Sequence, residues 1–181
     1  MGETVSRVIK SESKNFKSGD IVRCFGGWQH YSAHDASEVQ IVPKTIDPMS
    51  YALSILGMPG LTAYAGIVWQ GQPKQGDTVV IPAAVGGVGA TAGQLAKLRG
   101  CVVVGIAGSD EKCQYATADL GYDACINRNT ENVSERLKEL CPQGINVFFD
   151  LVGGELLQTA TERLAIGARV ILCGLMSEYN K

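Results

Sequence analysis

A glycine-rich turn is the part of this chain whose residue types and spacing point most directly to chemistry. Residues 84–89 read Ala-Val-Gly-Gly-Val-Gly, which matches the pattern GxGxxG except that Ala84 stands in place of the first glycine. Glycines suit such a turn because a side chain would hold the backbone away from a phosphate, and the following helix aims its free N–H groups at the anion. The turn therefore predicts a pyrophosphate site made by Ala84, Gly86, Gly87, Val88 and Gly89.

The segments around the turn strengthen this interpretation. An apolar strand is predicted over 79–84, a helix over 89–98 and a second apolar strand over 101–106. A strand, a glycine turn and a helix in this order are the context in which the pattern binds a dinucleotide. A plain tight turn without a ligand is the alternative interpretation, because the pattern alone has low specificity.

The end of the second strand bears on which dinucleotide binds. A site for NAD usually has Asp or Glu about twenty residues after the glycines, whereas NADP needs cations and space for an extra phosphate. The expected place reads Ile-Ala-Gly-Ser; Gly108 leaves space, and Ser109 can cap the next helix while donating to an anion. Lys112 in that helix and Arg128 after the third strand would supply positive charge. Solvated surface charges are the alternative for both, and Asp110 keeps NAD possible.

Composition limits the classes of protein that the chain can be. It has 181 residues, 45% of them apolar and 19% charged, with a net charge of -2, which is enough for a real core in one or two domains. The even spread of charge provides no basic field, so neither nucleic acid nor a membrane is expected as a partner. No apolar run approaches the length of a membrane span and no leader pattern opens the chain, so the sequence predicts a cytoplasmic protein.

The cysteines and histidines give little support to a metal site. The six cysteines are scattered without a CxxC pair, and most fall in apolar segments where a free thiol packs as a small hydrophobic group. His30 and His34 are four residues apart, but their segment is rich in turn formers and offers no third ligand nearby. We therefore expect no metal.

Strands and helices continue to alternate after the second strand. The pattern predicts helices over 109–120, 131–141 and 155–165, and strands over 123–128, 145–150 and 169–173. Five strands with four intervening helices imply parallel pairing through right-handed crossovers. The predicted fold is α/β, a doubly wound parallel sheet of the Rossmann type with strand order 3-2-1-4-5.

Loops at the carboxyl ends of such strands line the ligand crevice. Residues 151–154 would close over a nicotinamide ring, and 174–180 carry hydroxyl groups. Backbone contacts to the cofactor are predicted for Val152, Gly153 and Gly174. The hydroxyl of Tyr179 could donate a hydrogen bond or a proton to a substrate oxygen, and a packed amphipathic ring is the alternative.

The first part of the chain differs in kind from the rest. Short strands are predicted over 4–12, 20–26 and 39–43, and a helix over 49–56. Residues 1–47 are thus a partial β-rich segment, too small to be a second domain. Residues 48–181 are predicted to form the domain that binds NADP.

Several runs together resemble a known family. They are 57–64, 71–77, 84–89, 97–101, 107–112 and 173–180. As a set they are similar to the zinc-independent branch of the medium-chain dehydrogenase/reductases, and within it to the prostaglandin reductase, alkenal double-bond reductase and curcumin reductase group. The resemblance covers essentially the whole chain.

The resemblance implies an activity and roles for individual residues. Members of this group pass a hydride from NADPH to the β-carbon of an α,β-unsaturated aldehyde or ketone, without a metal, and a proton completes the product. Gly86, Gly87 and Gly89 would then lie at the pyrophosphate, and Ser109 and Lys112 at the adenosine phosphate. Met58 and Thr62 would lie near the nicotinamide, and Tyr179 would steady the enolate or deliver the proton.

The chain also departs from the family pattern. Arg128 stands where the group usually has tyrosine, which should keep or strengthen a preference for NADP, and Leu151 stands where an asparagine is usual. Family members are about twice as long, with a barrel-like catalytic half before this segment and a further strand after it that pairs their sheets. The resemblance therefore implies that the parent protein is a homodimer and that this chain is an inactive fragment of it. It gives no oligomeric state for the fragment. An NADPH-binding module without turnover and a quinone oxidoreductase are the alternative functions.

Overall fold

The computed structural model describes residues 2–179. The chain divides into two compact units, Met1–Pro59 and Gly60–Lys181. Residues 48–59 thus group with the first unit, whereas the sequence assigned them to the domain that follows. Asn180, the last residue of the predicted crevice loop 174–180, lies outside the described residues.

The first unit contains a small antiparallel sheet. Its strands are β1 (Thr4–Arg7), β2 (Ile21–Cys24) and β3 (Gln40–Ile41), in the order β1-β2-β3. They are shorter than the predicted strands. The predicted helix over 49–56 is also wrong in kind, because Met49–Leu53 form a short 3-10 helix. That helix ends at Ser54, whose φ of -112° and ψ of -103° are not helical.

The second unit begins with helical turns and then alternates strands with helices. An α-helix, α1 (Met58–Tyr64), crosses the division between the units and runs into a π-helical segment, Ala65–Gly71. The elements that follow are β4 (Thr78–Pro82), α2 (Gly87–Leu98), β5 (Val102–Ala107), α3 (Asp110–Ala118), β6 (Ala124–Asn127), α4 (Val133–Leu140), β7 (Ile145–Asp150), α5 (Gly154–Thr161) and β8 (Leu164–Leu172).

The five strands of the second unit form one parallel sheet. Their order is β6-β5-β4-β7-β8, and every neighbouring pair is parallel. Counted from β4, this order is 3-2-1-4-5, so the predicted doubly wound sheet is confirmed. The order places the end of β4 beside the point where the chain changes direction across the sheet, which is where such folds form a ligand crevice.

Both faces of the central strands β4, β5 and β7 are buried under helices. One cluster joins Val79, Ile81 and Phe149 to α2 and the π-helical segment, and the other joins Val80 and Phe148 to α4 and α5. Successive residues of a strand point to opposite faces, so continuous apolar runs such as 79–81 are what a sheet covered on both sides requires. This packing positions the carboxyl ends of the central strands.

The last helix and strand differ from the prediction. Helix α5 ends at Thr161 and β8 already begins at Leu164, which pairs with Ile145, whereas the sequence extended the helix to 165 and began the strand at 169. Pairing resumes only at Arg169 opposite Val147, so the residues between form an irregularity in the ladder. Gly167, with φ of 79°, resembled a helix stop in sequence, but a left-handed glycine also suits a strand irregularity.

Candidate functional site

A cleft opens at the carboxyl ends of the central strands. Its volume is about 480 Å³, and it is lined by Ala83, Val85, Gly86, Ile106, Ala107, Gly108, Lys112, Arg128, Val152, Leu156, Met176 and Ser177. Most of the lining is apolar or backbone, and two side chains carry positive charge. The position at the strand ends is the one that the predicted topology requires for a ligand site.

Five residues predicted to bind a ligand line this cleft, and they come from five separate loops or helix starts. They are Gly86, Gly108, Lys112, Arg128 and Val152. The structure therefore brings together positions up to 66 residues apart in sequence, from Gly86 to Val152. Their roles in binding remain predictions.

The other predicted residues lie beneath or beside the cleft lining. Ala84 is fully buried, whereas Gly87, Val88 and Gly89 form the first turn of α2 and Ser109 caps α3. Gly153 and Gly174 pack against Leu175 and Leu151. Thr62 is half-buried in α1, Met58 is exposed in the first unit, and the side chain of Tyr179 is 70% exposed. The predicted roles of these residues stay predictions.

Sequence reasoning did not name seven of the lining residues as ligand contacts. Ala83 and Val85 sit in or next to the glycine turn, and Ile106 and Ala107 at the end of the second predicted strand. Met176 and Ser177 sit in a loop already predicted to reach the crevice. Leu156 was predicted only as part of a helix. Their proximity to the strand ends was the available signal, because a loop that follows a central strand must pass over the crevice.

The glycine turn has the geometry of an anion cradle. An ideal Cβ on Gly86 would meet only the Ala83 carbonyl oxygen, at 3.3 Å, so the backbone there is open to a ligand. An ideal Cβ on Gly89 would lie 3.0 Å from the Ala84 oxygen and still closer to the Ala83 oxygen, so glycine is needed for the helix to approach the strand. Since Gly86 caps α2 without a side chain, the first-turn N–H groups stay available to an anion.

The structure explains why Ala84 can replace the first glycine of the pattern. The left-handed backbone of the turn falls on Ala83, with φ of 53°, so Ala84 itself needs no special conformation. An ideal Cβ on Gly105 of β5 would lie 2.8 Å from the Ala84 Cβ. The absence of a side chain at Gly105 therefore provides the space that the Ala84 methyl group occupies.

A buried tyrosine in the loop before β6 holds this turn in place. The hydroxyl of Tyr122 donates to the carbonyl oxygens of Ala84 and Gly89, at 3.2 and 2.8 Å. Burial, with a smaller contribution from Cys125, raises the pKa of the Tyr122 phenol far above its ordinary value, so the phenol stays a hydrogen-bond donor. Its ring leaves no room for a Cβ at Gly93 of α2. Sequence reasoning missed this contact because it joins residues 33 and 38 positions apart.

Two cationic side chains lie near the carboxyl ends of β5 and β6. Lys112 is in the first turn of α3, where its backbone N–H donates to the Ser109 hydroxyl at 3.3 Å, as predicted for a helix cap. Arg128 directly follows β6, and its N–H donates to the Ala107 carbonyl at 3.0 Å. Both side chains are exposed and line the cleft. They can therefore meet an anion there without the cost of burying a charge.

Hydrogen bonds from Asp150 and Ser177 shape the loop after β7. The Oδ1 atom of Asp150, which is fully buried, accepts from the N–H groups of Val152 and Gly153 at 2.9 and 2.8 Å. Ser177 donates to the Val152 carbonyl through both its hydroxyl, at 2.8 Å, and its N–H, at 3.0 Å. Leu151, which replaces the usual asparagine, packs in the apolar cluster beneath the turn. Its side chain is thus a core side chain in this protein.

The described residues contain neither a cluster of metal ligands nor a helix that could span a membrane. Among residues 2–179, no three His, Cys, Asp or Glu side chains gather where they could hold a metal ion. Within the same residues, none of the helices is both long enough and apolar enough to cross a membrane.

The parallel sheet, its strand order and the glycine turn after β4 define a nucleotide-binding Rossmann domain. The family model described as zinc-binding dehydrogenase matches residues 87–181, which is more than half of the chain. The chain belongs to that family.

Comparison with individual proteins narrows the group. The chain is 43% identical over 180 residues to the NADPH-dependent curcumin reductase of Escherichia coli, covering 99% of this chain and 52% of that protein. It is 42% identical over 185 residues to prostaglandin reductase 1 of Rattus norvegicus, covering 100% and 56%. The resemblance inferred from the motifs is confirmed. The chain spans about half the length of the curated relatives it matches.

Solved structures give the same result. CurA of Vibrio vulnificus in complex with NADPH is 46% identical, with a TM-score of 0.93 over 99% of this chain and 53% of that one. A quinone oxidoreductase of Escherichia coli complexed with NADPH is 30% identical, with a TM-score of 0.75 over 97% of this chain and 55% of that one. The fold is therefore shared with proteins that hold NADPH.

Proposed function

We propose that this chain is the NADPH-binding portion of a reductase that adds hydride to the C=C bond of α,β-unsaturated aldehydes or ketones. The observation that carries the proposal is one cleft lined by both the open glycine turn at Gly86 and the two cations Lys112 and Arg128. A dinucleotide with an additional phosphate needs a turn that admits the pyrophosphate and positive charge for the extra phosphate.

The pyrophosphate would lie on the turn before α2. The space above Gly86 is the space that a Cβ would take up, and the twelve-residue helix behind it presents its positive dipole end and unpaired N–H groups. Gly87, Val88 and Gly89 supply those N–H groups, and Ala84 supports the turn from below. The residues present thus fit a pyrophosphate.

The adenosine phosphate would lie between α3 and the loop after β6. Lys112 and Arg128 line the cleft there, and Gly108 between them leaves space. Ser109 would add a hydroxyl. Among the described residues that line the cleft, none carries a carboxylate, whereas a site for NAD would place one there for the ribose. This distribution of charge supports NADPH over NADH.

The nicotinamide would lie near the loops that follow β7 and β8. Val152, Gly153 and Gly174 would contact it through backbone, and Thr62 would add to its surroundings. A place for Met58 near the nicotinamide is implied by the family resemblance alone. When bound, NADPH supplies the hydride for the β-carbon of the substrate. The Tyr179 hydroxyl would donate a hydrogen bond to the substrate oxygen, which steadies the enolate, or would deliver the proton that completes the saturated product.

Two candidate substrates follow from the relatives. The names of the two curated relatives, a curcumin reductase and a prostaglandin reductase, support a small unsaturated carbonyl compound. The quinone oxidoreductase with bound NADPH supports a quinone as the second candidate, since the same fold holds the same cofactor. A homodimeric parent is a proposal that rests on the family resemblance.

Calorimetric titration with NADPH and NADH, followed by turnover assays, tests the proposal. We expect the 181-residue chain to bind NADPH more tightly than NADH. Loss of nicotinamide absorbance with an enal but not with a quinone, in the longer parent, would support the reductase. The opposite substrate preference would favour the quinone enzyme, and tight NADPH binding without turnover of either would favour a binding module. Absence of NADPH binding would refute all three.

A further inference from the structure

The carboxylate of Asp110, at the start of α3, is hydrogen-bonded to a side chain at the end of β6. The Nδ2 atom of Asn127 donates to Oδ1 of Asp110 at 2.6 Å. Asn127 is only 4% exposed and is the last residue of β6, paired in register with Ala107 of β5. Its own N–H donates to Glu131 at 2.7 Å. The donor that contacts Asp110 is therefore held by the sheet itself.

The position of Asp110 makes this hydrogen bond relevant to the choice of dinucleotide. Asp110 is the first residue of α3, three positions after the end of β5 at Ala107, close to where a site for NAD carries its ribose-binding acid. A carboxylate turned into the cleft there would repel a phosphate and could accept a hydrogen bond from a free ribose hydroxyl. Instead Lys112, two residues later, lines the cleft, while Asp110 is engaged by Asn127.

We propose that Asn127 is a positioning residue that sets the preference for NADPH over NADH, by holding the Asp110 carboxylate away from the adenosine phosphate. This inference rests on the proposed binding of NADPH. Asn127 needs no contact with the cofactor, because it acts through the direction in which it holds one negative charge. The amide of Asn127 suits this role, since it donates to a carboxylate without adding a charge of its own.

A hydrogen bond from Asn129 joins the loop after β6 to the loop after β5 and provides a matched control. The Oδ1 atom of Asn127 accepts from the backbone N–H of Asn129 at 3.1 Å, and the side-chain Nδ2 of Asn129 donates to the Gly108 carbonyl at 2.7 Å. Loss of the Asn129 side chain would therefore loosen the contact between the loops without changing the partner of Asp110. The effect of loop position can thus be separated from the effect of charge.

Asn127→Ser is the variant that tests the inference. A serine oxygen can still accept from the N–H two residues further on, but its hydroxyl is too short to reach Asp110. Calorimetry on the 181-residue chain at low salt should show NADPH binding weakened about three- to fivefold, the size of one exposed charge interaction, with NADH binding unchanged or tighter. The difference should shrink at high salt, because screening weakens the repulsion.

The Asp110→Ala background identifies the mechanism. In that background Asn127→Ser should leave the NADPH-to-NADH affinity ratio unchanged, and Asn129→Ala in the native background should also leave the ratio unchanged. The inference is overturned if Asn127→Ser alone leaves the NADPH-to-NADH affinity ratio unchanged. It is also overturned if Asn127→Ser shifts this ratio equally in the Asp110→Ala background. Either result leaves the proposed NADPH binding intact. If the native chain binds neither dinucleotide, the proposed function fails and this inference fails with it. Should Asn127→Ser not fold, Asn127→Thr carries the same expectations.

Discussion

The hydroxyl of Tyr122 donates to the carbonyl oxygen of Gly89 at 2.8 Å, and so joins the loop before β6 to the first turn of α2. The same hydroxyl reaches the Ala84 carbonyl at 3.2 Å. One buried side chain therefore holds both ends of the turn on which we place the pyrophosphate.

Tyr122→Phe should weaken the fold and the cofactor site together. The variant keeps the ring but loses the donor, which should lower the free energy of unfolding by about 1 kcal/mol and the NADPH affinity by a few-fold. Urea denaturation and calorimetry measure the two effects. Tyr115→Phe, on the exposed side of α3, is the control and should change neither. Native NADPH affinity in Tyr122→Phe would show that the turn keeps its shape without this tyrosine.

Lys112→Glu should discriminate between the two dinucleotides. It replaces attraction by repulsion at one phosphate, so the affinity for NADPH should fall at least tenfold while the affinity for NADH changes little. Lys138→Glu on α4, which does not line the cleft, provides the control for net charge. Equal losses for both cofactors would show that Lys112 does not contact the additional phosphate.

Substitutions at Gly86 should produce a graded loss of both cofactors. A Cβ there would enter the space assigned to the pyrophosphate, so Gly86→Ala should weaken binding and Gly86→Val should abolish it. Because only one protein atom lies near that Cβ position, at 3.3 Å, the thermal unfolding midpoint should change little. Full NADPH binding by Gly86→Val would rule out the assignment of the turn.

Tyr179→Phe should separate catalysis from binding in the longer parent. Removal of the hydroxyl should lower kcat by roughly 10²-fold, because the enolate loses its donor, while the Kd for NADPH stays the same. Steady-state turnover assays give kcat and calorimetry gives Kd, with Tyr31→Phe in the first unit as the control. Unchanged kcat would remove Tyr179 from the mechanism.

Alkaline pH should destabilise the fold through Cys141. Burial raises the pKa of this thiol from its ordinary value of 9.0 to about 11, so the thiolate forms more readily in the unfolded chain than in the folded one. The stability that depends on the neutral thiol is fully present below pH 9 and is lost as the pH rises towards 11. Between pH 8 and 11, the free energy of unfolding should therefore fall more steeply with pH in the native chain than in Cys141→Ala. Urea denaturation at each pH measures this free energy. Equal slopes would contradict this role for Cys141.

The order of the sheet could be predicted because it depends on local pattern and a general rule of chirality. Alternating apolar strands and helices over 79–173 require right-handed crossovers, and those allow few arrangements. The glycine turn was equally readable, since the need for Gly86 and Gly89 arises within a few residues of chain. The boundary between α5 and β8 could not be predicted, because Gly167 suits both a helix end and an irregularity within a strand. Only the pairing of Leu164 with Ile145 decides between the two.

For the candidate site, the sequence by itself determined which residue types could meet a phosphate, and named Lys112, Arg128 and Gly86 as residues that could do so. Only the tertiary structure decided that the three line one cleft, that Tyr122 fastens the turn and that Asn127 engages Asp110. The physical reason is distance along the chain. Helix caps and turns depend on neighbours, whereas a hydrogen bond between residues 17 or 33 positions apart exists only once the packed sheet has brought two loops together.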